Sequence, residues 1–178
     1  MLHKKGLLAL FICWSVLAAA QESFPTPPAT NEQLFYLQRN PNTNTIMCDL
    51  RLEENGELDK DNPVHVYWIR YAEKGQKEEL SFIQRKFAYG VKTKRLENGK
   101  YKLNFVSYSR YPMFLTKAAD GKYHVFATIN EKMVILKSIF IKINKGGTFW
   151  SPNIEYFEVK GTDPATGTEV VERKKVLK

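Results

Sequence analysis

Met133-Val134-Ile135-Leu136-Lys137-Ser138-Ile139-Phe140-Ile141-Lys142-Ile143 is long and apolar on both alternating sets of positions. A strand turns successive side chains to opposite faces. A strand apolar on both sets therefore belongs at the centre of a sheet, or under cover on both faces. Working outward, Met113 to Lys117 and Tyr123 to Ile129 flank Asp120-Gly121, a good two-residue hairpin signal. Tyr101 to Tyr108 follows Asn98-Gly99, and Ile154 to Lys160 and Glu169 to Val176 flank the turn-forming Asp163-Pro164-Ala165-Thr166-Gly167.

The upstream half reads the same way. Val64 to Ala72 is dense in β-branched and aromatic residues, with Val64, Val66, Tyr67, Trp68, Ile69 and Tyr71. Leu34 to Arg39 and Thr45 to Leu52 flank Asn40-Pro41-Asn42-Thr43-Asn44, a hairpin connection, and Glu53 to Pro63 is an acidic loop. One helix interrupts the strands. Leu80, Ile83 and Phe87 recur at i, i+3 and i+7, which predicts one apolar face covering an opening or a face of the sheet. Glu78 and Glu79 sit at its start, Arg85 and Lys86 near its end, and Gly90 supplies a stop. The whole is mainly β: an antiparallel sandwich or a meandering β-barrel with one short helix.

The amino terminus reads as a removable secretory signal. Lys4 and Lys5, the apolar run Leu7 to Leu17 and Ala18-Ala19-Ala20 stand in the order of such a signal, with cleavage expected after Ala20. The run is shorter than the ~20 residues a spanning helix needs, so no transmembrane segment is expected after cleavage. Cys13 lies inside that run behind Leu10-Phe11-Ile12, whose bulk does not suit lipidation. Residues 21 to 31 are polar and proline-rich, a tether, and residues 32 to 178 form a single β-rich domain. Such a signal sets the expectation of export.

The formal charge is +8, from 27 Lys and Arg against 19 Asp and Glu, and removing Lys4 and Lys5 leaves the chain basic. That balance confers solubility and favours an anionic glycan, a lipid head group or an envelope protein as partner. Export excludes nucleic acid. With Cys13 gone, Cys48 has no intrachain disulfide partner, and its strand-like setting reads as buried packing. His65 and His124 show no metal-ligand spacing, and no cofactor is implied. In the acidic loop, placing Gly56 at the sixth position of a calcium-binding register puts Arg51 first and Asn62 twelfth, where acids are required. What stands out is aromatic residues interleaved with basic ones. Trp68, Arg70, Arg85, Tyr89, Arg110 and Trp150 are the candidate ligand-binding residues, with Gly146-Gly147 allowing close backbone approach beside Trp150. Alternation along a strand produces the same mixture when the aromatics are core and the cations solvated. A non-enzymatic binding domain is the expectation, and a hydrolase with an irregular Asp, Glu and His site is the alternative.

Several ordered motifs carry a resemblance. They are Leu34-Phe35-Tyr36-Leu37-Gln38-Arg39-Asn40-Pro41, Pro63-Val64-His65-Val66-Tyr67-Trp68-Ile69-Arg70-Tyr71 and Ile83-Gln84-Arg85-Lys86-Phe87-Ala88-Tyr89-Gly90. Asp120 to Val125 and Gly161 to Gly167 extend them. Over residues 32 to 174 the chain resembles the exported bacterial proteins grouped as domain of unknown function 4833. That resemblance implies an envelope or secreted setting, mainly in Bacteroidetes-type bacteria, and it brings no activity and no catalytic residue.

Overall fold

The computed structural model describes residues 24–148 and 151–175. The signal-like residues 1 to 20 and Trp150 lie outside the described residues. Among the described residues eleven strands and one α-helix follow one another: β1 Gln33–Arg39, β2 Asn42–Leu50, β3 Val64–Ile69, β4 Lys77–Glu79, α1 Phe82–Phe87, β5 Val91–Arg95, β6 Tyr101–Phe105, β7 Met113–Lys117, β8 Tyr123–Ile129, β9 Lys132–Gly147, β10 Pro152–Thr162 and β11 Glu169–Lys175. All the strands join one sheet, in the order β4-β3-β2-β1-β9-β8-β7-β6-β5, with β10 and β11 branching from β9. The sheet curls into a half-barrel. The fold is thus mainly β with one short helix, as the turn spacing predicts. One pairing departs from an all-antiparallel meander. β1 runs parallel to β9, from Tyr36 opposite Ser138 to Arg39 opposite Ile141. Nearly a hundred residues separate the two strands, ample for the crossover that a parallel neighbour requires.

β9 makes this branched sheet possible. β10 pairs with it from Ile135 to Gly147. The opposite edge is shared: β8 takes Lys132 to Ile135, and β1 takes Ser138 to Ile141. At the handover Leu136 faces Gly161 and Ser138 faces Lys160, so Lys137 is an extra residue on β9. Such a bulge flips the alternation of everything beyond it. Val134 and Leu136 point into the core before it, Ile139 and Ile141 after it. Apolar character on both alternating sets therefore has a different origin from cover on both faces. β9 is central, as expected, but one inward stripe changes phase at Lys137. Cover on the outer face is partial, with Phe24 packed edge-on against Phe140 at 5.0 Å.

The curl brings the inward side chains of β1 to β3 against those of β6 to β8. Phe35, Leu37, Ile46, Cys48, Trp68, Leu103, Met113, Leu115, Val125 and Ala127 are buried in one cluster, and Phe35 meets Phe105 edge-on across it at 6.1 Å. Cys48 is fully buried, and burial pushes its thiol far above the ordinary range, consistent with a packing role. β2 is buried from Asn44 to Asp49 because a second, smaller cluster of Met47, Tyr67 and Ile69, flanked by Tyr36 and Tyr71, covers its other face. The Asn40 amide extends the parallel ladder beyond Arg39: it donates to the Ile143 carbonyl at 2.8 Å and accepts from the Ile143 N–H at 2.6 Å. The proline-rich segment lies on this body from Phe24 onward, where Gln38 donates to the Pro25 carbonyl at 2.7 Å. The strands at the sheet margins, β4, β5 and β11, are rich in lysine, arginine and glutamate, which discourages edge-to-edge pairing.

The helix departs from expectation. It starts at Phe82, so Glu78 and Glu79 belong to β4, and Leu80 is buried ahead of the helix. Ile83 and Phe87 share no buried face and are both largely exposed. α1 links the two ends of the nine-strand path, β4 and β5, without contributing a buried residue.

Gly161 gives a direct test of the branch point. A β-carbon there would lie 2.6 Å from Val134 Cγ2 and 2.7 Å from the Ile135 carbonyl oxygen. Gly161→Ala is expected to cost about 1–3 kcal/mol in urea denaturation. A variant as stable as wild type would show that β9 and β10 do not pack this closely.

Candidate functional site

The aromatic and basic residues singled out in the sequence fall into separate places. Trp68 on β3 is buried and packs edge-on against Tyr89 at 5.1 Å, and its indole N–H reaches Gln84 Oε1 on α1 at 3.4 Å. Arg70 stacks over the Trp68 ring at 5.2 Å, with Glu78 clamping its guanidinium at 2.9 and 3.1 Å. That clamp holds the Glu78 carboxyl below its usual range. Arg85 on α1 reaches Glu79 at 3.4 Å and the Leu80 carbonyl at 3.3 Å. Trp68, Arg70, Tyr89 and Arg85 thus gather at the β3–β4–α1 corner, where Trp68 and Arg85 tie the helix to the sheet and Arg70 ties the end of β3 to β4. Arg110 is exposed on the connection between β6 and β7, a loop that packs against Phe157 of β10 through Tyr108 and Tyr111. A further arginine, Arg39, joins the corner by lying over the Tyr89 ring at 5.9 Å. As the last residue of a strand it carried no sequence signal.

On the outer face of the same corner a different group assembles. The ladder sets Asp49 opposite His65, Met47 opposite Tyr67, and Tyr67 opposite Glu79. Paired residues share a face, so Asp49, His65, Tyr67, Lys77 and Glu79 converge. With Glu78 they line an open depression of about 220 Å³. The Tyr67 hydroxyl donates to Asp49 Oδ2 at 2.8 Å, and His65 Nε2 lies 2.7 Å from Glu79 Oε1. The Lys77 ammonium sits 5.2 Å from the centre of the Tyr67 ring, with the His65 ring beside it at 5.0 Å. Burial pushes the Asp49 carboxyl up, against the Tyr67 hydrogen bond and the charges of Lys77 and His65, which pull it down. Burial and the bond to Asp49 push the Tyr67 hydroxyl up as well.

One atom is left over. Asp49 is only 9% exposed, and its Oδ1 has no hydrogen-bond partner. Buried carboxylate oxygens are rarely left so. Sequence reasoning missed Asp49, Tyr67, Lys77 and Glu79 because they share no motif; only strand register brings them together. His65, noted in the sequence only for its lack of metal-ligand spacing, joins them. Among the described residues no three His, Cys, Asp or Glu side chains are grouped to hold a metal ion. In the acidic loop, Asp59 Oδ1 accepts from the backbone N–H groups of Asp61 and Asn62 at 3.0 and 2.8 Å, shaping a turn.

These features define a curled, mainly-β domain with an open polar face at one corner. The chain matches the family described as Domain of unknown function (DUF4833) over residues 35–173, and it belongs to that family. Among curated proteins and among solved structures there is no match. No described helix is long and apolar enough to cross a membrane.

The raised Asp49 carboxyl has a signed consequence. The folded state holds this proton more tightly than the unfolded chain does. Its contribution to stability is therefore complete below the unfolded carboxylate range, near pH ~4, and is lost as pH rises through the folded value. Asp49→Asn abolishes the titration and keeps an acceptor for Tyr67. In urea titrations, wild type should lose stability relative to Asp49→Asn between pH 4 and pH 7. A constant difference would contradict the burial of this charge.

Proposed function

We propose that this chain is an exported cell-envelope protein that binds a ligand without transforming it, in the periplasm or outside the cell. The ligand is a molecule bearing hydroxyl or amine groups, such as an envelope glycan, and it docks in the depression over Tyr67. One observation carries this reading: Asp49 is buried with one oxygen engaged by Tyr67 and the other unused. A ligand O–H or N–H donated to that oxygen would complete its hydrogen bonding. Lys77, His65 and Glu79 around the tyrosine ring provide the mixture of donors and acceptors that a polyhydroxylated ligand needs. With three carboxylates lining it, the depression disfavours an anionic glycan and suits a neutral or amino sugar. The excess positive charge then serves a different surface, where a lipid head group or an envelope protein is the candidate partner.

Hydrolysis at an irregular Asp, Glu and His site has one observation in its favour, the His65–Glu79 pair close to Asp49. Glu79, however, is mostly exposed and shared with Arg85. The Tyr67 hydroxyl is committed to Asp49, and burial and that bond push it up, so Tyr67 is not an activated nucleophile. An open depression also does not keep water from reacting groups. Binding is the better reading.

Calorimetric titration with neutral and amino-sugar envelope glycans tests it. Asp49→Asn and His65→Ala should each weaken binding about 10- to 100-fold, the scale of one lost charge-assisted hydrogen bond, with the β circular-dichroism signal retained. Equal affinity in both variants, or turnover of the glycan by wild type, would overturn the reading.

A further inference from the structure

We infer that the rim of the core at Arg39 binds an amphiphile with a single oxyanion head, a carboxylate or a phosphate monoester, on an apolar chain. The site lies on the inner face of the sheet and does not depend on the depression over Tyr67.

Strand register builds the site. Arg39 of β1 stands opposite Ile141 of β9, and Ile141 stands opposite Phe157 of β10. Paired residues share a face. That face is the inner one, because Ile141 and Phe157 pack against the main core cluster. One row earlier on the same face, Leu37, Ile139 and Val159 are 4%, 5% and 0% exposed. Arg39, Ile141 and Phe157 are only half-buried, so the apolar interior reaches solvent at this row. Two tyrosines border it. The Arg39 guanidinium lies over the Tyr89 ring, 5.9 Å from its centre, and Tyr108, itself 43% exposed, meets the Phe157 ring at 6.0 Å. Their segments are tied side by side. Ser107 Oγ donates to the Ala88 carbonyl at 2.6 Å, and the Val106 N–H donates to the Gly90 carbonyl at 2.9 Å.

Arg39 selects the charge of the ligand. Its Nε is buried and has no hydrogen-bond partner, and its guanidinium forms no ion pair among the described residues. The row holds no acid either, and beyond Phe157 it runs on to Lys174. Buried polar groups normally have partners, and a guanidinium presents a planar fork that fits two oxygens of a carboxylate or phosphate. The rest of the row selects the body of the ligand. Ile141 and Phe157 offer no hydrogen-bonding side-chain group, so a sugar laid on them would lose water from its hydroxyls without replacement. An alkyl chain instead gains by burial against them. The row crosses two strand spacings, about 10 Å, which suits one short chain.

Calorimetric titration of the full chain with octanoate, octyl phosphate, octanol and acetate, below micelle formation, tests the inference. Every variant keeps the same amino-terminal residues, so differences between variants report this row. Octanoate or octyl phosphate should bind at least about ten-fold more tightly than octanol, which lacks the charge, and than acetate, which lacks the chain; the tighter of the two anions identifies the head group. Arg39→Gln should weaken the preferred anion about 10- to 100-fold with unchanged circular dichroism, and Arg39→Lys should restore only part of it, because the charge returns without the fork. Tyr108→Ser, on an exposed side chain, should weaken it roughly five-fold and serves if the Arg39 variants misfold. Asp49→Asn should bind as wild type does. Octanol or acetate binding as tightly as the anions, wild-type affinity in Arg39→Gln and Tyr108→Ser, or a loss in Asp49→Asn as large as that in Arg39→Gln would overturn the inference.

Discussion

A strand has two edges, and β9 must serve three partners with them. β10 occupies one edge over most of its length, so β8 and β1 divide the other. The division requires a change of partner within a continuous strand, and the extra residue Lys137 sits where the change occurs. Because a bulge bends and twists its strand, the same residue turns β1 to β4 over the inner face of β5 to β8. The core exists because these two half-sheets are brought face to face. Gly161 lets β10 follow closely at the point of greatest crowding, and the Asn40 amide holds the β1 end of the new pairing on Ile143.

Much of this was legible in the sequence, and the parts that were not have physical reasons. Turn chemistry at Asp120-Gly121 and Asp163 to Gly167 located strands well, because glycine and aspartate at turns answer to local backbone geometry. The central place of Met133 to Ile143 followed from its apolar density. Its phase change did not, because a bulge depends on partners that local sequence does not identify. β5, Val91-Lys92-Thr93-Lys94-Arg95, has little apolar signal because an edge strand is guarded by charge. The helix was recognised from Leu80, Ile83 and Phe87, yet Leu80 lies buried ahead of it, and periodicity fixes only that Ile83 and Phe87 share a side. Whether that side meets core or solvent is decided by what anchors the helix, here Trp68 and Gln84.

Of the residues singled out for binding, Trp68, Arg70, Arg85 and Tyr89 do come together, largely in structural contacts. The outer depression is a product of register. Asp49, His65 and Tyr67 come from strands joined by a long acidic loop, and only the β2–β3 ladder sets them side by side. The corner thus carries two surfaces of opposite character, an acidic depression on the sheet and a basic, aromatic ridge on α1. Glu79 bridges them, touching His65 with one oxygen and Arg85 with the other.

If β9 unites the half-sheets into one cooperative body, its amides should open only when the whole domain does. Native-state hydrogen exchange measures this most directly. Amides of Val134 to Leu136 and of Ser138 to Ile141 should share one protection level equal to the global unfolding free energy. The cores of β2 and β8 should reach the same level, and the edge strands β5 and β11 should exchange by local opening. Two distinct levels, with β1 to β3 opening independently of β6 to β8, would contradict the role assigned to β9.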